Sequence, residues 1–207
     1  MAATTVTSQR TRTRFSLAIV AALAAHVLTP AGRAQVVTVQ LDPAPTKIGF
    51  TLGSTLHTVE GTFRLKSGAI RFDPTTGKMS GSIIVDATSG ESGNGGRDRR
   101  MHREILESGK YPEIVFTPSE AKGAFNSNGP SKLEVSGQFR LHGQDHDMTL
   151  PIDIQPAGRQ LQMAMHITIP YLKWGLKNPS TFILRASGKV EIDIHAVGQI
   201  GGEEVSH

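Results

Sequence analysis

The sequence has no cysteine among its 207 residues. This absence excludes disulfide bonds, thiol catalysis and cysteine-based zinc sites, so the fold must depend on burial and hydrogen bonding. Aromatic residues are also scarce, with one Trp and two Tyr. So few are poorly suited to the two aromatic girdles of a membrane-embedded β-barrel, which makes that architecture a minor alternative.

A long apolar run is lacking as well. The apolar stretch at residues 15–28 is shorter than the roughly 20 residues that a membrane-spanning helix needs. It follows Arg10, Arg12 and Arg14 and precedes the small residues Gly32 and Ala34. This order predicts a secretory signal peptide over residues 1–34, cleaved near Ala34, and hence a periplasmic or secreted protein. An uncleaved anchor is the alternative.

Without this leader, the chain has no excess of either charge. The leader holds four Arg and no acid, so residues 35–207 keep 18 Lys or Arg against 18 Asp or Glu. The electrostatic footprint of a nucleic-acid-binding protein is therefore absent.

What the chain does contain is period-two alternation of apolar and polar residues. It runs through residues 58–65, 79–86, 133–141, 147–154, 161–169 and 184–194, with Gly- and Pro-containing turn signals between these stretches. The pattern predicts an all-β domain of amphipathic strands over residues 35–197, followed by a flexible tail over residues 198–207. A closed barrel is favoured over a sandwich because long alternating strands otherwise leave exposed edges.

One segment departs from the alternation. Residues 97–108 place Met101, Ile105 and Leu106 at helical spacing, and Gly109 is suited to end a helix. We expect a short amphipathic helix that covers one end of the barrel.

The apolar faces include small and flexible residues. Gly61, Gly81, Gly137 and Gly188 all fall there. They either let the strands bend or widen the interior for a ligand, and both explanations stay open. The methionines on the same faces suit an interior that adapts to a flexible guest, or they fill gaps in a dry core.

Two polar clusters are candidate sites. His142 and His146 stand near Asp145 and Asp147 and could bind a divalent metal, although a solvated turn is the preferred interpretation. The charged run at residues 97–104 could bind a phosphate head group near the barrel mouth, although a charged helix face is preferred.

Tyr171, Lys173, Trp174 and Lys177 follow the longest apolar strand and could clasp an amphiphile's head or cap the core. No Ser-His-Asp signature, phosphate-binding glycine loop or His-Glu-x-x-His motif occurs, so no cofactor and no enzyme activity are predicted. A barrel-hosted enzyme acting on a lipid-like substrate is the alternative, with His57 as the candidate polar group.

Five local motifs, taken in order, give the chain a family resemblance across roughly residues 36–197. The motifs are Val59-Glu60-Gly61-Thr62-Phe63; Gly81-Ser82-Ile83-Ile84-Val85; Asp98 and Met101-His102 ahead of Tyr111-Pro112-Glu113-Ile114-Val115-Phe116; Val135-Ser136-Gly137-Gln138-Phe139 with Leu141-His142-Gly143; and Trp174-Gly175. In these the chain resembles the YceI-like family of exported, lipocalin-like barrels.

The resemblance implies an eight-stranded antiparallel barrel around an elongated apolar tunnel that binds polyisoprenoids or similar lipids in the periplasm. It implies no catalytic constellation and no stable membrane insertion, and it leaves a homodimer open. The residues expected to contact such a ligand are Val59, Gly61, Phe63, Ile70, Phe72, Met79, Ile83, Met101, Ile105, Phe116, Val135, Phe139, Met163, Met165, Trp174 and Leu184.

The chain departs from the commoner family pattern in two places. Pro45-Thr46 stands where many members have a His-Ser pair, and Gly53 stands where many have a histidine, while His57 lies four residues before Gly61. A contact from those histidines to a ligand's head is not carried over to this chain.

Overall fold

The computed structural model describes residues 1–2, 36–180 and 185–201. Eight strands and one short helical segment follow each other along the chain. They are β1 (Val37–Leu52), β2 (Val59–Phe72), β3 (Met79–Glu91), α1 (Gly95–Arg100) continued by a π-helical turn (Met101–Ile105), β4 (Glu113–Lys122), β5 (Ser131–Leu141), β6 (Gln144–Ala157), β7 (Gln160–Ile169) and β8 (Val190–Gly201).

The strands form a closed antiparallel barrel in which each strand pairs with its neighbours in the chain. Closure is made by β1 and β8, where Phe50 lies opposite Ile192 and Val39 lies opposite Ile200. The predicted eight-stranded barrel is therefore confirmed. Within the described part of the chain, no helix is long and apolar enough to cross a membrane.

The C-terminal boundary differs from the expectation. The strand β8 continues to Gly201, past the predicted start of the tail at Gly198. Gly198 lies opposite both Leu41 of β1 and Leu161 of β7, so this segment is held on two sides by backbone pairing. The predicted signal peptide falls on residues outside the described range, apart from Met1 and Ala2.

The alternation of the sequence matches the two faces of the barrel wall. Leu133, Val135 and Leu141 of β5 are buried, whereas the intervening Glu134 and Gln138 are exposed on the outer face. The direction of the apolar face, which periodicity left open, is inward. Ile84 breaks the alternation because it faces outward, where it is half-buried opposite Val115 of β4.

The loops fall at two ends, because consecutive antiparallel strands connect alternately above and below. We call one the mouth end; its connections are residues 53–58, 92–112, 142–143 and 170–189. We call the other the closed end; its connections are residues 73–78, 123–130 and 158–159.

The helical segment lies at the mouth end, as expected, but its form differs. The side chain of Asn94 caps α1 by accepting from the backbone N–H groups of Gly96 and Arg97. The π-helical turn ends at Ile105, and Glu107, with a positive φ of 45°, turns the chain away instead of Gly109. The reason is that the Ser108 N–H donates to the carbonyl of His102 at 3.0 Å, which closes the last turn before Gly109 is reached.

The wall between β6 and β7 is paired only in part. Cα partners run from Asp153 and Ala164 to Ala157 and Gln160, all near the closed end. Towards the mouth, the segment that follows β7 contributes buried Tyr171 to the core. The Trp174 ring of this segment stacks on His146 of β6, with centroids 4.0 Å apart and planes at 6°.

The inward glycines allow neighbouring atoms to approach closely. A Cβ on Gly61 would lie 2.2 Å from the Glu91 carbonyl oxygen and 2.4 Å from the Phe50 ring. At Gly137 a Cβ would lie 2.3 Å from the Thr117 carbonyl oxygen. These two glycines therefore serve packing of the wall and not the widening of the interior.

Candidate functional site

The barrel interior holds two cavities that follow each other along its axis. The upper cavity, at the mouth end, has a volume of about 540 Å³. The lower cavity, towards the closed end, has a volume of about 140 Å³. Elongated apolar space of this kind is typical of barrels that hold one small ligand.

A ring of apolar side chains separates the cavities, and we call it the waist. Its members contribute to the walls of both cavities. They are Ile48, Val85, Ile114, Phe139, Ile167 and Ile194. Because these six side chains line both cavities, the waist marks the boundary between them at mid-height of the barrel.

The lower cavity is almost entirely apolar. Thr46 is its one lining residue with a polar side chain within the described range. Phe72 and Phe125 meet edge to face at the closed end, with centroids 5.7 Å apart. Apart from Thr46, whose hydroxyl donates to the Asp42 carbonyl, an apolar chain that reaches this cavity meets hydrocarbon and sulfur, which do not suit a polar head group.

The upper cavity has polar groups at its rim. The rim residues Ser54, His57, Ser92, Arg97 and Arg100 line it together with a larger apolar wall. The Arg97 guanidinium donates to the Ser92 side-chain and backbone oxygens, both at 2.7 Å. The Arg100 Nε donates to Glu104 at 3.2 Å. The mouth therefore offers hydrogen-bond donors and positive charge, which the lower cavity lacks.

The two rim arginines differ in how their charge is balanced. Glu104 lies within ion-pair distance of Arg100. Within the described residues, no carboxylate lies within 4.0 Å of a side-chain nitrogen of Arg97, which is half-buried. Arg97 is therefore the rim cation whose charge is least compensated.

The helical segment is fixed above the cavity by local polar contacts. The His102 ring lies between the Ser108 hydroxyl, at 3.0 Å, and the Gly90 carbonyl, at 2.8 Å. This arrangement turns Met101 and Ile105 towards the cavity, where both contribute to its wall. The segment thus forms part of the roof, as its amphipathic pattern predicts.

Most residues expected to contact a ligand lie along the two cavities. Those on the upper cavity are Val59, Phe63, Met101 and Ile105, and Phe139 belongs to the waist. Those on the lower cavity are Ile70, Phe72, Met79, Ile83, Phe116, Val135, Met163 and Met165.

Three expected contacts lie elsewhere. Gly61 is covered by the Phe50 ring and lines neither cavity. Trp174 is not a lining residue either; it packs behind Phe139, with centroids 5.7 Å apart, and supports that residue of the waist. Leu184 lies outside the described residues.

Sequence reasoning also missed several lining residues, including Phe50, Ile167, Ile192 and Ile194. The signal was available for Ile167, Ile192 and Ile194, which fall on the apolar face of the alternating stretches, whereas Phe50 lies outside those stretches. The sequence alone does not tell which apolar positions line a cavity, because that depends on where the waist lies, and the waist depends on strand register.

The two histidines of the β5–β6 region do not meet at a metal site. His142 and Gly143 form the turn with positive φ values, so Asp145 instead pairs outward with Arg140. His142 Nε2 lies 2.7 Å from Glu107 Oε2, while His146 stacks on Trp174. No group of three metal-ligating side chains is found among residues 36–180 and 185–201. The turn residues Gly143, Gln144 and Asp145 are exposed, as the preferred solvated turn predicts, although both histidine rings are partly buried.

Tyr171 and Trp174 are parts of the wall, as the capping interpretation held. The Tyr171 hydroxyl donates to the Ser187 carbonyl at 2.6 Å, and burial raises the pKa of this phenol. Lys173 and Lys177 are exposed on the same connection.

With this geometry in place, comparison with known proteins defines the class. The model of the YceI-like domain matches residues 39–197. The chain therefore belongs to the YceI-like family, as the motif order indicated.

Relatives and solved structures agree with this assignment. A UPF0312 protein of Vibrio parahaemolyticus is 28% identical over 102 residues, which is 48% of this chain and 52% of that protein. A UPF0312 protein of Vibrio cholerae is 26% identical over 145 residues, 68% of this chain and 74% of that protein. The match to the former thus spans about half of that relative's length.

Two solved structures share this fold at low sequence identity. BcnA of Burkholderia cenocepacia has a TM-score of 0.63 and 19% identity, with 76% of this chain and 98% of that chain covered. A polyisoprenoid binding domain from Saccharophagus degradans, implicated in plant cell wall breakdown, has a TM-score of 0.57 and 16% identity. The match covers 79% of this chain and 98% of that domain's chain.

Proposed function

We propose that this protein is an exported carrier that holds a long apolar amphiphile, such as a polyisoprenoid lipid, inside its barrel. The observation that carries the proposal is the pair of consecutive apolar cavities of about 540 and 140 Å³, with the charged lining residues confined to the mouth. The polyisoprenoid binding named for the Saccharophagus degradans domain supports the same class of ligand. The basic and apolar leader supports a periplasmic or secreted location.

In this proposal the apolar chain passes the waist and ends in the lower cavity, while the head stays near Arg97. Burial of the chain contributes about 0.8 kcal/mol per methylene. Immobilising the ligand offsets part of this gain. The rim donors orient the amphiphile, since a head group placed in the lower cavity would lose its hydrogen bonds.

The test is lipid identification on protein purified from its native cell envelope. We expect native mass spectrometry and organic extraction to find a long-chain lipid, and added isoprenoid chains to raise the melting temperature. Repeated absence of any lipid, together with an unchanged melting temperature, contradicts the proposal.

A pair of variants locates the binding in the barrel. Ile192→Gln places an amide in the upper cavity, whereas Glu191→Gln changes the neighbouring residue on the outer face. An amide left without a partner against the apolar chain costs about 1–3 kcal/mol. We expect roughly tenfold weaker lipid binding for the first variant and unchanged binding for the second.

A further inference from the structure

The loops at the two ends of the barrel differ sharply in charge. The mouth-end connections contain nine Lys or Arg and three Asp or Glu, a formal charge of +6. The closed-end connections contain two Lys or Arg and one Asp, a formal charge of +1. Since residues 35–207 carry equal numbers of acids and bases, the mouth is a local concentration of positive charge.

The mouth cations are largely available to a partner. The exposed ones are Arg99, Arg103, Lys110, Lys173, Lys177, Arg185 and Lys189. Of these, only Arg103 lies within 4.0 Å of a carboxylate of the described residues, that of Glu104.

The mouth acids, by contrast, are engaged locally. Asp98 accepts hydrogen bonds from Ser92, Glu104 pairs with Arg100, and Glu107 contacts His142. Glu60 and Glu91, at the strand ends just below the loops, are exposed and oppose the positive field in part.

An apolar side chain projects among these charges. Large exposed apolar side chains of the described residues are Met1, Val36 and Leu56, and Leu56 is 67% exposed. Leu56 belongs to the mouth-end loop beside His57, whose side chain reaches the rim of the upper cavity. Val36 stands next to the start of β1, at the closed end.

From this juxtaposition we infer that the mouth end is a docking surface for an anionic lipid bilayer. Basic residues near an anionic membrane surface each contribute attraction that falls off within a Debye length. An apolar residue among them enters the headgroup region. Docking in this orientation presents the open end of the apolar cavity to the bilayer, from which an insoluble chain can enter without crossing water.

A bilayer fits these features better than an acidic protein. Single exposed apolar residues are common on surfaces, but Leu56 adjoins the cavity-lining His57 and lies at the same end of the barrel as the exposed cations. An acidic protein partner would use the same cations without using the cavity opening. That partner is an outcome of the test below.

The test is co-flotation of the full chain, as processed by the cell, with phosphatidylcholine vesicles that contain or lack 30% phosphatidylglycerol. One variant combines Lys173→Gln, Lys177→Gln, Arg185→Gln and Lys189→Gln at the mouth. Its matched control combines Lys78→Gln, Lys122→Gln, Lys132→Gln and Arg159→Gln, two exposed cations of the closed-end connections and two at the strand ends beside them. Both lose four charges in the same background, so any contribution from the leader cancels.

We expect the wild-type protein to bind the anionic vesicles more strongly than the neutral ones and to be released by 0.5 M NaCl. The mouth variant should bind at least about tenfold more weakly, and the closed-end control should bind like wild type. Leu56→Ser should weaken binding severalfold and Val36→Ser should not.

Equal loss in the two charge variants, equal binding to the two vesicle types, or no vesicle binding overturns the inference. An acidic protein partner would give the last of these results. The vesicles contain no isoprenoid, and Ile192→Gln should dock like wild type. Failure of docking is therefore distinguishable from failure of lipid binding inside the barrel.

Discussion

The two halves of the barrel interior differ in size and in chemistry. The upper cavity has nearly four times the volume of the lower one and opens beside serine, histidine and arginine side chains. The lower cavity has an aromatic pair at its end and is lined by aliphatic, aromatic and methionine residues and by Thr46. This difference gives the interior a direction: a polar head is tolerated only at the mouth, and an apolar end is favoured below the waist.

The largest expected effect concerns packing in the two halves. Leu161→Ala truncates a residue that is 2% exposed beside the lower cavity, so it should lower the free energy of unfolding by about 2–5 kcal/mol. Leu52→Ala, at a half-buried residue facing the roomier upper cavity, should cost less than about 2 kcal/mol. Urea unfolding of the lipid-free protein measures both, and equal losses would remove the distinction between a packed and a roomy half.

The next effect concerns the waist as a limit on chain length. Val85→Phe narrows the waist and should keep two or three methylenes of a long chain out of the lower cavity, a loss of about 2 kcal/mol. Short chains that fit the upper cavity should bind as before. Binding titrations over a series of chain lengths check this.

The control for the waist is Ile84→Phe, an adjacent outward-facing position. If it changed chain-length preference as much as Val85→Phe does, the preference would not depend on the waist.

A smaller effect is expected in the wall at the mouth end. Tyr171→Phe removes the hydroxyl that donates to the Ser187 carbonyl and should cost about 0.5–1.5 kcal/mol. Tyr111→Phe, at the other tyrosine, changes a half-buried ring beside exposed Lys110 and should cost less. Thermal unfolding of the two variants measures the difference, and a larger loss for Tyr111→Phe would contradict the assigned role of Tyr171.

The smallest effect is a pH dependence of folding stability that arises from His166 on the outer face. The hydrogen bond with Asp193, at 2.7 Å, raises the pKa of exposed His166 above its ordinary value of 6.5. A raised pKa in the folded state means that the stabilisation is fully present below about pH 6.5 and is lost as the pH rises through the folded pKa. His166→Asn should flatten this small slope in unfolding measurements between pH 5 and about pH 9, and an unchanged slope would assign it to another group.

The sequence predicted the strands well because alternation reports which side chains are buried, and a barrel wall buries one face of every strand. Residues 133–141 show this directly. The alternation could not place Trp174. The pairing between β6 and β7 is short, so the segment that follows β7 completes part of the wall, and the role of Trp174 depends on this arrangement.

Long-range contacts explain the other differences. His142 and His146 are four residues apart and were a minor candidate for one metal site, but Glu107 and Trp174, distant in sequence, contact them separately. Inward glycines likewise suggest free space in a single strand, whereas Gly61 is filled from β1 by Phe50. Such facts depend on register between strands, which local patterns do not encode.

The direction of the bound chain is the central claim, and Trp174 permits a direct measurement of it. It is the one tryptophan of the chain and packs behind Phe139 of the waist. Lipids brominated at chosen carbons quench a nearby indole. We predict stronger quenching of Trp174 fluorescence by a chain brominated next to its head group, in the upper cavity, than by a chain brominated at its far end, in the lower cavity. Equal quenching by the two lipids, or stronger quenching by the far-end bromine, would contradict the account.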